Sequence, residues 1–210
     1  GGDFTTAGGV AANYIARWDG STSSWHPLGN GMGGEYPYVY ALAVGPDGSL
    51  YAGGTFTTAG GIAANYIARW DTATSSWHPL GNGMGGGYGY PYVYALAIGP
   101  DGSLYAGGGF TTAGEVTANY IARWDGSTSS WHPLGSGMNG WVLALAFGPD
   151  DSVYAGGDFY AAGGVWANNI ARWDGTQWHD VGGGLSGETY AFVDSLAAGP
   201  DGSIYAGGHF

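Results

Sequence analysis

The sequence predicts an all-β protein made of four copies of one sheet unit, and three observations carry that reading. A glycine-doublet tetrapeptide recurs as GGDF from Gly1, GGTF from Gly53, GGGF from Gly107, GGDF from Gly156 and GGHF from Gly207, at spacings of 52, 54, 49 and 51 residues. Between recurrences, short runs alternate large and small side chains with the period of two that a strand requires, as in Val39-Tyr40-Ala41-Leu42-Ala43-Val44. Of the 210 residues 45 are Gly, yet 16% are aromatic, which separates a turn-rich folded chain from a glycine linker. A repeat near fifty residues is the signature of β-propeller blades, each of which buries its sheet only against a neighbour.

Each unit holds four strand candidates. The run from Val39 to Val44 puts Tyr40, Leu42 and Val44 on one side and Ala41 and Ala43 on the other. Gly45-Pro46-Asp47-Gly48 is a turn, in which Pro fixes one φ and Gly supplies a positive one. Residues 49–52 form the second strand, and a longer loop, 53–65, leads to the third at 66–70. A polar turn, 71–76, leads to the fourth at 77–80, where Pro79 lacks the N–H that a central strand needs. That places the fourth strand at the sheet edge. Tyr40, Leu42, Val44, Leu50, Trp18 and their repeat mates are expected between sheets, with the alanine faces letting neighbouring blades approach.

The string LYAGGTF…IARWDTATSSWHPLGNGM resembles the kelch repeat: a strand ending in a Gly-Gly doublet, an aromatic-Asp turn, then a Trp. The resemblance extends over all four repeats. It departs from the usual kelch spacing in the long loop after Gly-Gly, which carries its own TTAGG signature. The resemblance implies a fold and no activity: a single propeller domain over 1–210, with kelch-like repeats at about 1–52, 53–106, 107–155 and 156–210. The sequence opens in the phase of strands three and four and closes in the phase of strands one and two. A closed ring of four four-stranded blades, the last completed by both termini, is therefore expected. A filament grown by pairing such half-blades between molecules, and a fragment of a larger ring, stay open beside it. Position 1 is Gly and no basic-then-apolar leader follows, as expected of a mature form or a fragment.

Charge narrows the partners. Lysine is absent, and four arginines face sixteen carboxylates, for a net charge of −12. Such a surface repels phosphate backbones and anionic lipid, so neither nucleic acid nor membrane is expected as a partner. No apolar run reaches the length of a membrane span. Cysteine is absent, which excludes thiolate metal sites and a Cys nucleophile. The lack of Lys with abundant Gly, Thr, Tyr and Trp is the composition of an extracellular or bacterial surface protein.

Strand parity then separates two faces. The GPDG and WDGSTSSW turns share one, and the loops between strands two and three and between blades share the other. Those inter-blade segments, GNGMGGEYPY, GNGMGGGYGYPY, GSGMNGW and GGGLSGETYAF, hold most of the variation between repeats. They gather Glu35, Tyr36, Tyr38, Tyr88, Tyr90, Tyr92, Trp141, Glu188, Tyr190 and Phe192. Variable aromatic loops on a rigid frame point to recognition, with a glycan or a surface protein as ligand.

Other candidates read as structure. Arg17, Arg69, Arg123 and Arg172 occupy one repeated position in IARWD and are expected to pair with an Asp. His26, His78, His132 and His179 follow the edge-strand Trp and point outward in separate blades, so no metal site and no cofactor are expected. The WDGSTSSW turn resembles the sialidase Asp-box but is one residue too long, and kelch-like copper oxidases need a Cys that is absent here. Near-identical repeats also disfavour the asymmetric constellation of an active site. A non-enzymatic module is expected, and the fourth repeat is the most diverged, with Tyr160 for Thr5, Trp166 for Ala11, Asn169 for Tyr14 and Asp194, in a first strand, for Tyr40.

Overall fold

The structure, a computed structural model, describes residues 1–87, 89, 91–187 and 190–210. Three four-stranded antiparallel sheets follow one another, each a meander in sequence order. The first blade comprises Val39–Val44, Leu50–Gly54, Ile67–Asp71 and Ser76–Pro79; the second comprises Val93–Ile98, Leu104–Gly108, Ile121–Asp125 and Ser130–Pro133. The third comprises Trp141–Phe147, Val153–Asp158, Ile170–Trp173 and Trp178–Asp180. Before them Ala16–Asp19 pairs with Ser24–Pro27, and after them Phe192–Ala198 pairs with Ile204–His209. The proline-bearing fourth strand lies at the sheet edge in the first two blades, where the missing N–H leaves no ladder bond unmade.

The two half-sheets do not pair with each other among the described residues, which corrects the expectation of a closed ring. The reason lies in the step between blades. Val39 packs against Gly1, Val93 against Gly53, Val142 against Gly107 and Val193 against Gly156. The same contact recurs at each of the four steps, and at the end of them Ala16–Asp19 and Ile204–His209 belong to separate sheets.

The Gly-Gly doublet is what lets that contact form. A Cβ on Gly53 would strike the Val93 side chain, and one on Gly54 would strike the Tyr38 carbonyl oxygen. Opposite the doublet the first strand carries one extra residue: Val39 pairs with Gly54 and Ala41 with Gly53, leaving Tyr40 without a partner. Tyr94, Leu143 and Asp194 are the equivalent bulge residues. A bulge bends its strand and re-aims the extra side chain.

The long loop after the doublet is in fact a small hairpin. Thr58–Ala59 pairs with Ile62–Ala63 around Gly60 and Gly61, whose φ values of 61° and 89° suit a two-residue turn with both centres left-handed. Met32–Gly33 adds a third short strand, as Met84–Gly85 does one repeat later, and Met138 bridges to Ala162. All three methionines are buried. The hairpins are thus pinned under the inter-blade segments.

The core is a chain of alanine contacts closed by aromatics. Ala52, Ala68, Ala106, Ala122, Ala155 and Ala171 are wholly buried, so neighbouring sheets meet at short range, and Phe56 and Phe110 fill the space beneath the hairpins. Between blades, the edge-strand indoles add a directional bond. Trp77 Nε1 donates to the Leu28 carbonyl at 2.9 Å, Trp131 to Leu80 at 3.0 Å and Trp178 to Leu134 at 2.9 Å.

Tyr40, Leu42, Val44 and Trp18 are exposed, contrary to the sequence expectation, whereas Leu104 and Trp124 are buried and Tyr94, Leu96 and Ile98 half-buried. The Leu42 and Val44 positions face the preceding blade, as the approach of Leu96, the mate of Leu42, to Gly53 shows. The half-sheet before Val39 contributes no first or second strand to cover them.

Candidate functional site

The bulge in each first strand and the loop that precedes it build an aromatic cleft on the loop face. Glu35, Tyr36, Tyr38, Tyr40, Thr55, Thr57, Tyr66 and Tyr92 line a cleft of about 350 Å³ between the first and second blades. Thr55 Oγ1 donates to the Tyr36 carbonyl at 2.7 Å, which fixes the inter-blade loop against the end of the second strand. Tyr36 itself is 70% exposed.

The rings form an ordered set. Tyr38 stacks on Tyr40 with centroids 5.4 Å apart and planes 16° from parallel, and Tyr92 stacks on Tyr94 at 5.4 Å and 14°. The two stacks meet where Tyr40 lies 5.3 Å from Tyr94, and Tyr94 lies 6.1 Å from Trp141 of the third blade. A column of aromatic faces therefore crosses three blades. Such rings offer an apolar face with a polar tip, suited to stacking against another ring while hydrogen-bonding at its edge.

The phenols stay protonated. The hydrogen bond that Tyr38 donates to Asp3, at 2.7 Å, raises its pKa because ionisation would oppose the carboxylate. Burial raises that of Tyr40, with a smaller contribution from Tyr92. Tyr94 is pushed up to about 12, first by burial and then by Tyr40 and Tyr92. All three phenols keep their proton at neutral pH, that of Tyr38 being held by Asp3.

Of the residues singled out in the sequence, Glu35, Tyr36, Tyr38 and Tyr92 come together in the cleft, and Trp141 joins through Tyr94. Tyr190 stands apart, against Phe192 at 5.5 Å and donating to Asp158. Tyr88, Tyr90 and Glu188 lie outside the described residues. Tyr40, Tyr66, Tyr94, Thr55 and Thr57 were missed. The signal for the first was present: a Tyr facing a Gly-Gly doublet across a strand pair marks a bulge, and its side chain is re-aimed from the inter-sheet surface.

The opposite face is organised by ion pairs. Arg69 lies 3.6 Å from Asp47 and 3.1 Å from Asp71, Arg123 lies 3.3 Å from Asp101, Arg172 lies 3.3 Å from Asp150, and Arg17 lies 3.7 Å from Asp19. Each partner sits in a GPDG-type or aromatic-Asp turn, so all four arginines belong to the turn face. The aspartates also cap their own turns. Asp47 accepts from the Ser49 amide and hydroxyl and Asp101 does the same with Ser103, contacts that stabilise the carboxylate and hold its pKa low. Along the edge strands, His26, His78 and His132 contact the Ser hydroxyl two residues back, and His179 contacts Asp174 at 2.6 Å. Among the described residues no three His, Asp or Glu side chains converge as metal ligands.

Three segments, 45–72, 99–124 and 148–173, match the model of a family described as "Domain of unknown function (DUF5122) beta-propeller". Each runs from the turn after the first strand into the third, at the same phase of each blade. The chain is a β-propeller repeat protein. Its fold also matches that of the extracellular domain of BT4673 from B. thetaiotaomicron, described in one crystal structure as a hybrid and in another as a one component system. Both give a TM-score of 0.66 at 14% identity, over 95% of this chain and 24% of the other. The extracellular domain of the hybrid two component system BT3049 from the same organism gives 0.55 at 14% identity, over 95% of this chain and 23% of the other. The β-propeller repeat protein thus spans about a quarter of the length of these structures, and at that identity the likeness is one of fold. No curated protein matches the sequence.

Proposed function

We propose that this propeller segment is a non-enzymatic, extracellular recognition module that binds a glycan through its loop-face aromatic column, with blades of the kelch-like type. The observation that carries the reading is the cleft lined by Tyr36, Tyr38, Tyr40 and Tyr92. Its exposed rings lie on the variable face of a repeated frame, where a sugar ring can stack without displacing core contacts. The extracellular setting of the domains with similar folds supports the location. A panel of surface glycans should yield a ligand whose affinity falls about tenfold or more in Tyr36→Ala and again in Trp141→Ala. A panel without ligands, or affinity indifferent to both substitutions, refutes the reading.

A second reading is favoured by the exposed end surfaces carrying Trp18, Trp25, Leu42 and Val44 at one end and Tyr205 and Phe210 at the other. They are the two halves of the inter-blade interface, so further blades, in the same polypeptide or from another copy, would cover them. Sedimentation over a wide concentration range checks the second case: a constant mass of 21.4 kDa rules out assembly between copies.

A further inference from the structure

We propose that the glycan taken by the loop-face cleft carries free amines, so that its ammonium groups lie against the tyrosine rings and Glu35. This rests on the recognition reading above and narrows it to one class of sugar.

Charge placement carries the inference. The chain has no Lys, and its four arginines are all paired with aspartates on the turn face. No Arg or Lys side chain therefore faces the cleft, and the nearest cationic group is the Gly1 amino terminus beside Val39, whose pKa burial lowers. Its side chains are aromatic rings, the hydroxyls of Thr55 and Thr57, and carboxylates: Glu35 in the lining, and Asp3 accepting from the Tyr38 hydroxyl at its edge. An anionic sugar would meet this field with no Arg or Lys to offset it, inside a molecule of net charge −12. A cation is attracted twice, by the carboxylate and by the negative faces of the rings. Of the tyrosines at the cleft, Tyr38 feels a carboxylate directly, through the hydrogen bond it donates to Asp3, which raises its pKa.

The shape argues for a sugar chain over a small ammonium ion. A cage for one cation closes around a point, whereas these rings continue from Tyr38 and Tyr40 through Tyr94 to Trp141. Successive faces along a line suit a ligand of several rings with charges at intervals.

The test is calorimetric titration of the whole chain with three oligosaccharides of equal length: a β-linked glucosamine oligomer with free amines, its fully N-acetylated counterpart, and a galacturonate oligomer. The amine form should bind most tightly, at least about threefold above the acetylated form, with affinity that falls as salt rises. Glu35→Gln should lower the affinity of the amine form about two- to fivefold and leave the acetylated form unchanged. Tyr36→Ala combined with Tyr92→Ala should remove binding of both. Equal or tighter binding of the acetylated or galacturonate oligomer overturns the amine inference while leaving glycan recognition standing. Amine binding that survives loss of the two rings is adsorption to a negative surface and also overturns it. No binding by any of the three overturns the amine inference as well, and the wider glycan panel then decides the recognition reading separately.

Discussion

The second blade and the two terminal half-sheets carry several of the same residues at equivalent repeat positions and treat them differently. Phe110 is 0% exposed beneath its hairpin, whereas its mate Phe210 is 48% exposed. Tyr105 packs edge-on against Phe147 of the next blade at 5.2 Å, whereas its mate Tyr205 lies open. The edge-strand indole of Trp131 is 5% exposed and bonded to the previous blade, while that of Trp25 is 40% exposed with no acceptor among the described residues. Burial here belongs to the stack and not to the repeat, because each blade supplies only half of an interface.

The largest expected effect tests that contrast directly. Phe110→Ala should cost about 3–5 kcal/mol, the range for emptying a well-packed aromatic site. Phe210→Ala should fall within the roughly half-kcal/mol scatter of surface changes. Urea denaturation of both variants checks this, and equal losses would falsify the stack account. A smaller effect is expected at the indoles. Trp131→Phe keeps most of the ring but removes the donor to Leu80, at about 1 kcal/mol, and strands that carbonyl. Trp25→Phe should leave stability unchanged; a matching loss there would mean that the hydrogen bond is not the relevant contact.

The smallest effect separates two bulge residues. Tyr94 should ionise near pH 12, after the exposed tyrosines, because burial and its neighbours disfavour the phenolate. Its folded pKa lies above the ordinary value of 10.0, so the stability it contributes is complete below pH 10 and is lost as pH rises towards 12. Ultraviolet titration should show a late phase that Tyr94→Phe abolishes and Tyr40→Phe leaves in place. Loss of that phase in the Tyr40 variant alone would reverse the assignment.

Much of this architecture is legible residue by residue. The GPDG turns, the Pro-bearing edge and the strand runs follow from φ preferences and side-chain alternation, which act within a few residues. The TTAGG hairpin carries its turn signal in the glycine pair Gly60-Gly61, although its two-residue strands are too short to show a period. The candidate site was half legible. Glu35, Tyr36, Tyr38 and Tyr92 stand out as aromatic and acidic residues in variable segments, whereas Tyr40 and Tyr94 read as inter-sheet residues until the bulge is seen. An alternating pattern fixes which side chains share a face only if the register is unbroken, and one extra residue breaks it.

The sequence by itself determined the repeat, the strand order within a blade, the acidic character and the aromatic loop face, because each is written in local composition or in a fixed period. Only the tertiary structure decided that Tyr38, Tyr40, Tyr92 and Tyr94 become one column and that the arginines all turn away from it. It also decided that the terminal half-sheets stay apart. Those outcomes depend on how one blade packs on the next, through contacts such as Val93 on Gly53 between residues forty or so positions apart. Such contacts join neighbouring repeats, and no single repeat contains them.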